Sequence, residues 1–226
     1  MPFFPILFAL LGLSGVLLGY LHFRFYADAS TDARLHQRTS WRLEPAKVLG
    51  LASFNSVMSG GLIVAGPWLA WSFFISDAPF DLETLCFEVV GALLVYDFGY
   101  YFLHRFPFHE WKVLHKIHTL HHTVKYPTAV ESLYAHPLEN VLGISMFFVA
   151  VRVAGPVHPV SFLVLAAVYS WLNIIIHCGL TAKRRPWLAP LAYMAAKHDR
   201  HHKSMKAGNY ASITPLPDWL FGTLQD

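Results

Sequence analysis

Charged side chains are scarce in this chain. Only 14% of its 226 residues are Asp, Glu, Lys or Arg, whereas 55% are hydrophobic, and the mean hydropathy is +0.41. Soluble globular proteins carry about 25% charged residues, so the composition excludes an ordinary soluble domain and indicates an integral membrane protein. The net charge of +3 is modest and its basic residues are dispersed, which does not suit a nucleic-acid partner.

Cysteine and several common motifs are also lacking. Cys86 and Cys178 show no metal-binding spacing, so neither a disulfide framework nor a thiolate metal site is expected. The chain has no G-x-G-x-x-G or P-loop motif for a nucleotide, and no H-E-x-x-H motif of a zinc hydrolase. No Lys or Arg precedes the first apolar run, which argues against a cleaved signal peptide.

Long apolar runs are present instead, and the first two of them carry no charged residue. Phe3–Leu21, Asn55–Ser76 and roughly Leu85–Leu103 are each long enough to cross a hydrocarbon core of about 30 Å as a helix. Because cytoplasmic loops carry the excess of Lys and Arg, the basic residues after the first run place the N-terminus outside and the C-terminal end of the third helix in the cytoplasm. These basic residues are Arg24, Arg34, Arg38, Arg42 and Lys47.

A helical hairpin is expected in the second half of the chain. Its arms are Glu139–Val153 and Val160–His177, joined by a turn at the Gly-Pro-rich segment 152–159. The first arm contains only 11 uncharged residues, Val141–Val151, so we expect the hairpin to dip into the bilayer and return. The predicted fold is one all-α integral membrane domain over residues 1–226. It has three spanning helices, this hairpin and a cytoplasmic histidine-rich cap.

Histidine is the residue type in excess, with 14 in the chain. Eight fall into three clusters with H-x4-H, H-x2-H-H and again H-x2-H-H spacing. The clusters are His104 and His109, then His118, His121 and His122, then His198, His201 and His202. On a helix the H-x2-H-H spacing places all three rings on one face, a geometry that suits metal ligation. His104 and His109 cannot share a helical face, so we expect Pro107 to end the helix between them.

Eight imidazoles exceed the four ligands of one tetrahedral zinc and suit two metal ions with open positions. His177, at the end of the hairpin, would make nine. His115 and His136 are possible additional ligands. Imidazole binds iron, zinc and copper alike, so the spacing alone does not identify the metal.

Buried divalent cations with neutral ligands need anions nearby. Asp97, Asp199, Glu131, Glu139 and Asp218 are the candidates to orient ligand N–H groups. Asp97, at about mid-depth to the inner half of the third helix, and Asp199, inside the last cluster, are the first choices.

At these residues the chain resembles the fatty acid hydroxylase/sterol desaturase superfamily of membrane di-iron enzymes, from about Asp97 to Thr223. The branch it is most similar to is the C-4 methylsterol oxidases, through Tyr-Ala-His136-Pro-Leu-Glu, His-Asp-x-His-His, Gly208-Asn-Tyr-Ala-Ser212 and Asp218-Trp-Leu-Phe-Gly-Thr223. Two features depart from the pattern. The first histidine cluster, or histidine box, has H-x4-H spacing where the C-4 methylsterol oxidases usually have H-x3-H. Asn173, four residues before His177, stands where some fatty acid hydroxylases have another histidine.

The resemblance implies a ligand set of nine: His104, His109, His118, His121, His122, His177, His198, His201 and His202. It also implies two Fe ions, although zinc can occupy such a site on purification, and use of O2 to hydroxylate or desaturate a lipid of sterol or fatty acyl type. Asp97, Asp199 and Asn173 are expected to act in catalysis.

Electrons would come from a separate donor, a ferredoxin or cytochrome b5 type protein with its NAD(P)H reductase. Six basic residues on the cytoplasmic side could dock this donor: Lys183, Arg184, Arg185, Lys197, Lys203 and Lys206. Two alternatives remain open, a zinc-dependent membrane hydrolase and a non-enzymatic metal- or haem-binding membrane protein.

Overall fold

The computed structural model describes residues 1–27, 32–37, 43–182 and 185–225, and over these ranges the chain is helical without a strand. Five long helices form the body. They are α1 (Phe3–Tyr26), α2 (Pro45–Leu69), α4 (Leu82–Leu103), α6 (Pro137–Ala154) and α7 (Pro159–Ile176), with a short α3 (Trp71–Phe74) after α2. All five are long and apolar enough to cross a membrane. The predicted all-α membrane fold is confirmed.

The long helices run alternately toward and away from the end that carries the histidines. α1 and α7 run in the same direction, since the Phe3 and Phe162 rings lie 5.7 Å apart and Trp171 Nε1 donates to Ser14 Oγ at 3.1 Å. At the opposite end the start of α7 meets the start of α4, where the His158 amide donates to Glu88 at 3.0 Å. The chain ends of α1, α4 and α7 and the chain starts of α2 and α6 therefore meet at one end, called here the histidine end.

The helix boundaries differ from the prediction at two places. α2 begins at Pro45, ten residues before the expected Asn55, because a proline at the first helical position starts the helix and Lys47 lies near its end. The hairpin is confirmed as α6 and α7, but its first arm is not short. Each arm has 18 residues, about 27 Å, because α6 begins at Pro137, before the predicted Glu139, and extends to Ala154, beyond the predicted Val153.

Shorter elements form a cap at the histidine end. α4 continues into a π-helical turn (His104–Phe108), followed by α5 (Lys112–Thr119) and two 3₁₀ turns (His121–Thr123 and Ala129–Leu133). After α7 come a third 3₁₀ turn (Pro186–Leu188), α8 (Ala189–His202) and α9 (Leu216–Leu220).

Large apolar side chains point outward along the long helices. Phe8, Val16, Val57 and Phe87 are 59%, 67%, 77% and 83% exposed. Such an apolar outer surface is costly in water and favourable in lipid, so it is the surface expected of a membrane-spanning bundle.

Candidate metal centre

The structure brings together all nine histidines of the expected ligand set, and it divides them into two groups. One ring nitrogen from each member lies within 4.8 Å of those of the other members of its group. The five-histidine group is His104, His109, His118, His122 and His201, and the four-histidine group is His121, His177, His198 and His202. All but His109, which is partly exposed, are buried.

Each H-x2-H-H box contributes to both groups. His118 and His122, four residues apart, belong to the five-histidine group, while His121 between them belongs to the other. In the last box the roles are exchanged. His198 and His202 belong to the four-histidine group and His201 to the five-histidine group. This spacing therefore joins two neighbouring sites instead of filling one.

A π-helical turn brings the two histidines of the first box together. Residues His104–Phe108 form this turn, with Pro107 inside it, so the helix does not end between His104 and His109 as predicted. A π-helix bonds i to i+5, so residues five apart lie about one turn apart on the same side, whereas on an α-helix they diverge by about 140°. The two rings consequently lie with centroids 5.0 Å apart. The H-x4-H spacing is matched to this wider turn.

Hydrogen bonds of the outer ring nitrogens fix the tautomers of most of these histidines. In six rings Nδ1 lies 2.7–3.2 Å from a backbone carbonyl oxygen: His104 to Tyr210, His109 to Met205, His121 to Tyr134, His177 to Asn173, His201 to Gly208 and His202 to Val124. A carbonyl oxygen can only accept, so Nδ1 carries the proton and Nε2 presents a lone pair inward. Metal-bound histidines have this arrangement.

The inward nitrogens are too close for any arrangement except shared binding of a cation. His104 Nε2 lies 3.1 Å from His201 Nε2, and His121 Nε2 lies 3.1 Å from His177 Nε2, although both members of each pair present lone pairs. Two acceptors cannot hydrogen-bond to each other, and burying them unpaired is costly. Two nitrogens bound to one metal at about 2.1 Å are about 3.0–3.4 Å apart, so these residues fit two metal ions.

Burial keeps the imidazoles neutral, as metal ligation requires. Desolvation lowers the pKa of His109 and His121 to about 4, that of His177 to about 3 and that of His122 to about 2. Protons compete weakly with a cation for such rings at pH 7. Five nitrogens in one group also exceed the four ligands of tetrahedral zinc, which favours a metal of higher coordination number.

Glu139 is the carboxylate that contacts this centre. Its Oε1 lies 2.9 Å from Nδ1 of His118. Within the described ranges this is the one carboxylate in ion-pair distance of a histidine of either group. Glu139 was among the predicted candidates, but it was not a first choice. It lies in the first turn of α6, four residues before Gly143, where the helix packs against Tyr100 of α4.

Neither first-choice carboxylate orients a ligand. Asp97 accepts hydrogen bonds from the amides of Ile213 and Thr214 at 2.9 and 3.0 Å and from the Thr214 hydroxyl at 2.6 Å. Asp199 lies 3.5 Å from His36 and from Lys203, outside both groups. The prediction was wrong on this point, because the loop after α8 folds back onto α4 and occupies the Asp97 carboxylate.

That loop supports the five-histidine group. Its carbonyls at Gly208 and Tyr210 accept from His201 and His104, and Asp218 holds it by accepting from the amides of Tyr210 and Ala211 at 2.7 and 2.9 Å. Gly208 leaves no room for a side chain, because a Cβ there would lie 2.0 Å from the Thr223 carbonyl oxygen. The Gly-Asn-Tyr-Ala-Ser and Asp-Trp-Leu-Phe-Gly-Thr segments thus act as one support.

Lys197 is part of the same support and not of a docking surface. It is fully buried, with Nζ 2.6 Å from Asp218 Oδ2 and 2.7 Å from the Ala211 carbonyl oxygen. Of the other predicted docking residues, Arg185, Lys203 and Lys206 are exposed. Lys183 and Arg184 lie outside the described residues, as do Arg38 and Arg42 of the predicted cytoplasmic loop.

A small cavity of about 40 Å³ lies between the two groups and the bundle. Histidines of both groups line one side, and Tyr96, Tyr100 and Tyr169 line another. Asn173 also lines it, and its carbonyl oxygen holds His177. The sequence does not indicate that tyrosines line this cavity. An aromatic residue such as Tyr100 near the end of an apolar helix is ordinarily expected to lie at the membrane interface.

His115 and His136 belong to neither group. His136 is exposed and caps α6, its Nδ1 accepting from the Leu138 amide at 3.2 Å. His115 lies one turn before His118 on α5. Its ring is not among the nitrogens of either group.

Comparison with known proteins gives a family and several relatives. The model of the fatty acid hydroxylase family matches residues 89–223. The chain is 28% identical to methylsterol monooxygenase 1 of Rattus norvegicus over 167 residues, which cover 71% of the chain and 56% of that protein. It is 30% identical to methylsterol monooxygenase 2-2 of Arabidopsis thaliana over 146 residues, 60% of the chain and 52% of that protein.

A third relative has a different name. The very-long-chain aldehyde decarbonylase GL1-8 of Oryza sativa subsp. indica is 33% identical over 149 residues, 62% of the chain and 52% of that protein. The chain spans about half the length of the curated relatives it matches. No solved structure matches it significantly.

Proposed function

The chain belongs to the fatty acid hydroxylase family, and from this premise we propose that it is a membrane-bound non-haem di-iron oxygenase. The proposed reaction hydroxylates or desaturates a C–H bond of a sterol or fatty acyl lipid, using O2 and electrons supplied by a partner. The observation that carries the proposal is the pairing of inward Nε2 lone pairs in two groups. The predicted resemblance to the family is confirmed, and two of the relatives are methylsterol monooxygenases by name.

Each group of histidines would hold one iron ion. Five nitrogens on one side and four on the other leave open positions on ions that take more than four ligands. When bound, the two irons would supply the O2 activation and the oxidising power that side chains lack. Zinc remains able to fill such sites on purification, since imidazole accepts both metals.

The chain's own residues orient the ligands and shape the reaction space. Backbone carbonyls hold the rings of His104 and His201, and Glu139 lies beside His118, so the chain's own contacts orient these ligands. The 40 Å³ cavity has room for a small molecule and one reacting carbon but not for a whole lipid. Tyr96, Tyr100 and Tyr169 would position that carbon and keep bulk water from the centre.

A separate electron donor is proposed to dock at the histidine end. Exposed Lys203 and Lys206 lie within four residues of His202, and the Met205 carbonyl between them holds His109. An acidic ferredoxin or cytochrome b5 type protein bound there would come close to the five-histidine group. We further propose that this end faces the cytoplasm, from the excess of Lys and Arg beside it.

The two alternatives fit less well. A tetrahedral zinc takes four ligands, whereas one of the two groups here offers five imidazole nitrogens. A non-enzymatic metal- or haem-binding membrane protein would spread its histidines along facing helices, whereas the nine lie together at one end of the bundle.

Oxygenation of lipid by the purified protein tests the proposal. The iron-loaded full chain is placed in bilayers containing a methylsterol and a mixture of fatty acyl lipids, with ferredoxin, its reductase, NADPH and ¹⁸O2. We expect a hydroxylated product carrying ¹⁸O or a desaturated product by mass spectrometry, and neither with His121→Ala. Absence of both products from the reduced, iron-loaded protein across this lipid set contradicts the proposal.

A further inference from the structure

A second and larger hollow lies outside the metal centre. This groove of about 510 Å³ runs between the last turns of α1, the start of α8 and the segment after α7. Its volume lies in the range of small-molecule pockets, about 300–1,000 Å³. Apolar side chains form its floor: Leu17, Leu21, Ile175, Leu188 and Leu191.

The rim of this groove is positively charged. Arg24 and Arg185 both line it, and neither forms an ion pair with a carboxylate of the described residues. Asp32 also lines it, but it already has an interaction of its own. Among the lining residues that the structure describes, two guanidinium groups against one carboxylate leave a net positive rim above an apolar floor.

The groove lies at a membrane–water boundary. Arg24 is in the last turn of α1, a helix long enough to cross the bilayer, and Tyr20 one turn earlier is 51% exposed. Trp187, beside Arg185, is 73% exposed. Tyr, Trp and Arg at such positions are typical of the headgroup region.

The groove is separate from the reaction cavity. Ile175 and Cys178 line the groove, whereas Ile176 and His177, between them in sequence, line the cavity. A ligand in the groove would therefore lie behind the four-histidine group and would not reach its inward nitrogens.

We propose that this groove binds an anionic membrane phospholipid. One acyl chain lies along the apolar floor, and the phosphate is held by Arg24 and Arg185. The match rests on charge and polarity in the order that the ligand presents them, a phosphate at the rim and a hydrocarbon below it. This site is independent of the reaction proposed above.

Native mass spectrometry of the delipidated full chain tests the site. The protein is titrated with phosphatidylglycerol or phosphatidylcholine carrying the same oleoyl chains. We expect phosphatidylglycerol to bind more tightly. Arg24→Gln and Arg185→Gln should each weaken that binding by about fivefold, because a basic residue contributes about 1 kcal/mol to anionic lipid binding. Inorganic phosphate in excess should not displace the lipid, because it lacks the chain.

Matched variants separate this site from general charge effects. Arg152→Gln removes an arginine from the other end of the bundle, where its guanidinium lies 4.7 Å from the Phe73 ring centre, and should leave lipid binding unchanged. Ala192→Trp fills the groove and should weaken binding of both lipids. Equal affinity for the two lipids overturns the proposal. So does a phosphatidylglycerol affinity that neither Arg24→Gln nor Arg185→Gln weakens.

Discussion

At the scale of single residues, the outer nitrogen of each ring decides what its inner nitrogen can do. His201 donates from Nδ1 to the Gly208 carbonyl, so its Nε2 can only accept, and the same holds for His104 opposite it. A neutral histidine pair in an ordinary core would share one proton between the rings. Here no ring nitrogen of either residue is left to donate inward, which is why the site fits a cation.

Glu139 gives the first prediction at this scale. Glu139→Ala removes the carboxylate that lies 2.9 Å from His118 Nδ1, so metal affinity or activity should fall by about 10–100-fold, and Glu139→Gln should lose less because its amide keeps an oxygen at that place. Metal retention during dialysis against a chelator measures this. Asp97→Asn is the matched control and should keep the metal, since Asp97 contacts Ile213 and Thr214. Equal metal loss in Glu139→Ala and Asp97→Asn would contradict the assignment.

The buried ion pair between Lys197 and Asp218 gives the second prediction at this scale. Lys197→Met leaves the Asp218 carboxylate buried without its cation, and breaking such a pair costs about 3–5 kcal/mol. We expect a clear fall in the thermal unfolding temperature. Lys203→Met serves as control, because Lys203 is half-exposed and lies 3.5 Å from its acid, so the fall there should be small. A similar change in both variants would show that the Lys197 pair contributes little.

At the scale of elements, sequence spacing predicts which histidines meet but not how they divide. The H-x2-H-H pattern on a helix brings three rings to one face, and the structure indeed places His118, His121 and His122 together. Their division depends on where the surrounding elements place the other histidines on either side of the helix, since His198, His201 and His202 divide in the same way within the unbroken α8. The π turn at His104 also escapes prediction, because apolar periodicity does not report a local change of helix type.

Glu139 and Lys197 show a second limit of prediction from sequence. Each is one charged residue among several, and its role depends on a partner far away in sequence. Glu139 meets His118 only because α6 returns beside α5, and Lys197 meets Asp218 only because the chain after α8 folds back. Such partners require the tertiary structure, whereas the hairpin and the long helices are local and were predictable from apolar runs and prolines.

Gly208 gives a prediction for the supporting loop. Gly208→Ala forces a Cβ against the Thr223 carbonyl, so the loop must shift and its hold on His201 and His104 weakens. We expect loss of about one metal ion per chain with the helical content unchanged, read by metal analysis and circular dichroism. Gly91→Ala on α4 is the control, because a Cβ there meets nothing within 4 Å. Full metal content in Gly208→Ala would mean that the loop does not support the site.

At the scale of the whole molecule, the shared centre constrains the topology. Histidines from the end of α4 and from α8 meet in one group, so the intervening hairpin must leave and return to the same side. α6 and α7 do so over a length that matches α4, because His158 at their turn meets Glu88 near the start of α4. The side of the membrane is a prediction from charge alone.

Single cysteine labels test that orientation. In a background lacking Cys86 and Cys178, labels at Gln37, Pro79, Lys125 and Lys206 should leave only Pro79 accessible to an impermeant reagent from outside. Pro79 lies between α3 and α4, away from the histidine end. Labelling of Lys125 and Lys206 from opposite sides would be incompatible with a shared centre. Labelling of both from outside would reverse the proposed orientation alone.

The count of metal ions per chain tests the central claim most directly. Full-length protein from iron-replete cells is analysed by inductively coupled plasma mass spectrometry together with His118→Ala, His121→Ala and His202→Ala. We predict two ions per chain, mostly iron, in the unaltered protein. His118→Ala should deplete the ion of the five-histidine group, and His121→Ala and His202→Ala that of the four-histidine group. All three should remain in the membrane without lipid oxidation, since the spanning helices do not depend on the metal. One ion per chain or none in the unaltered protein would contradict the two-metal centre.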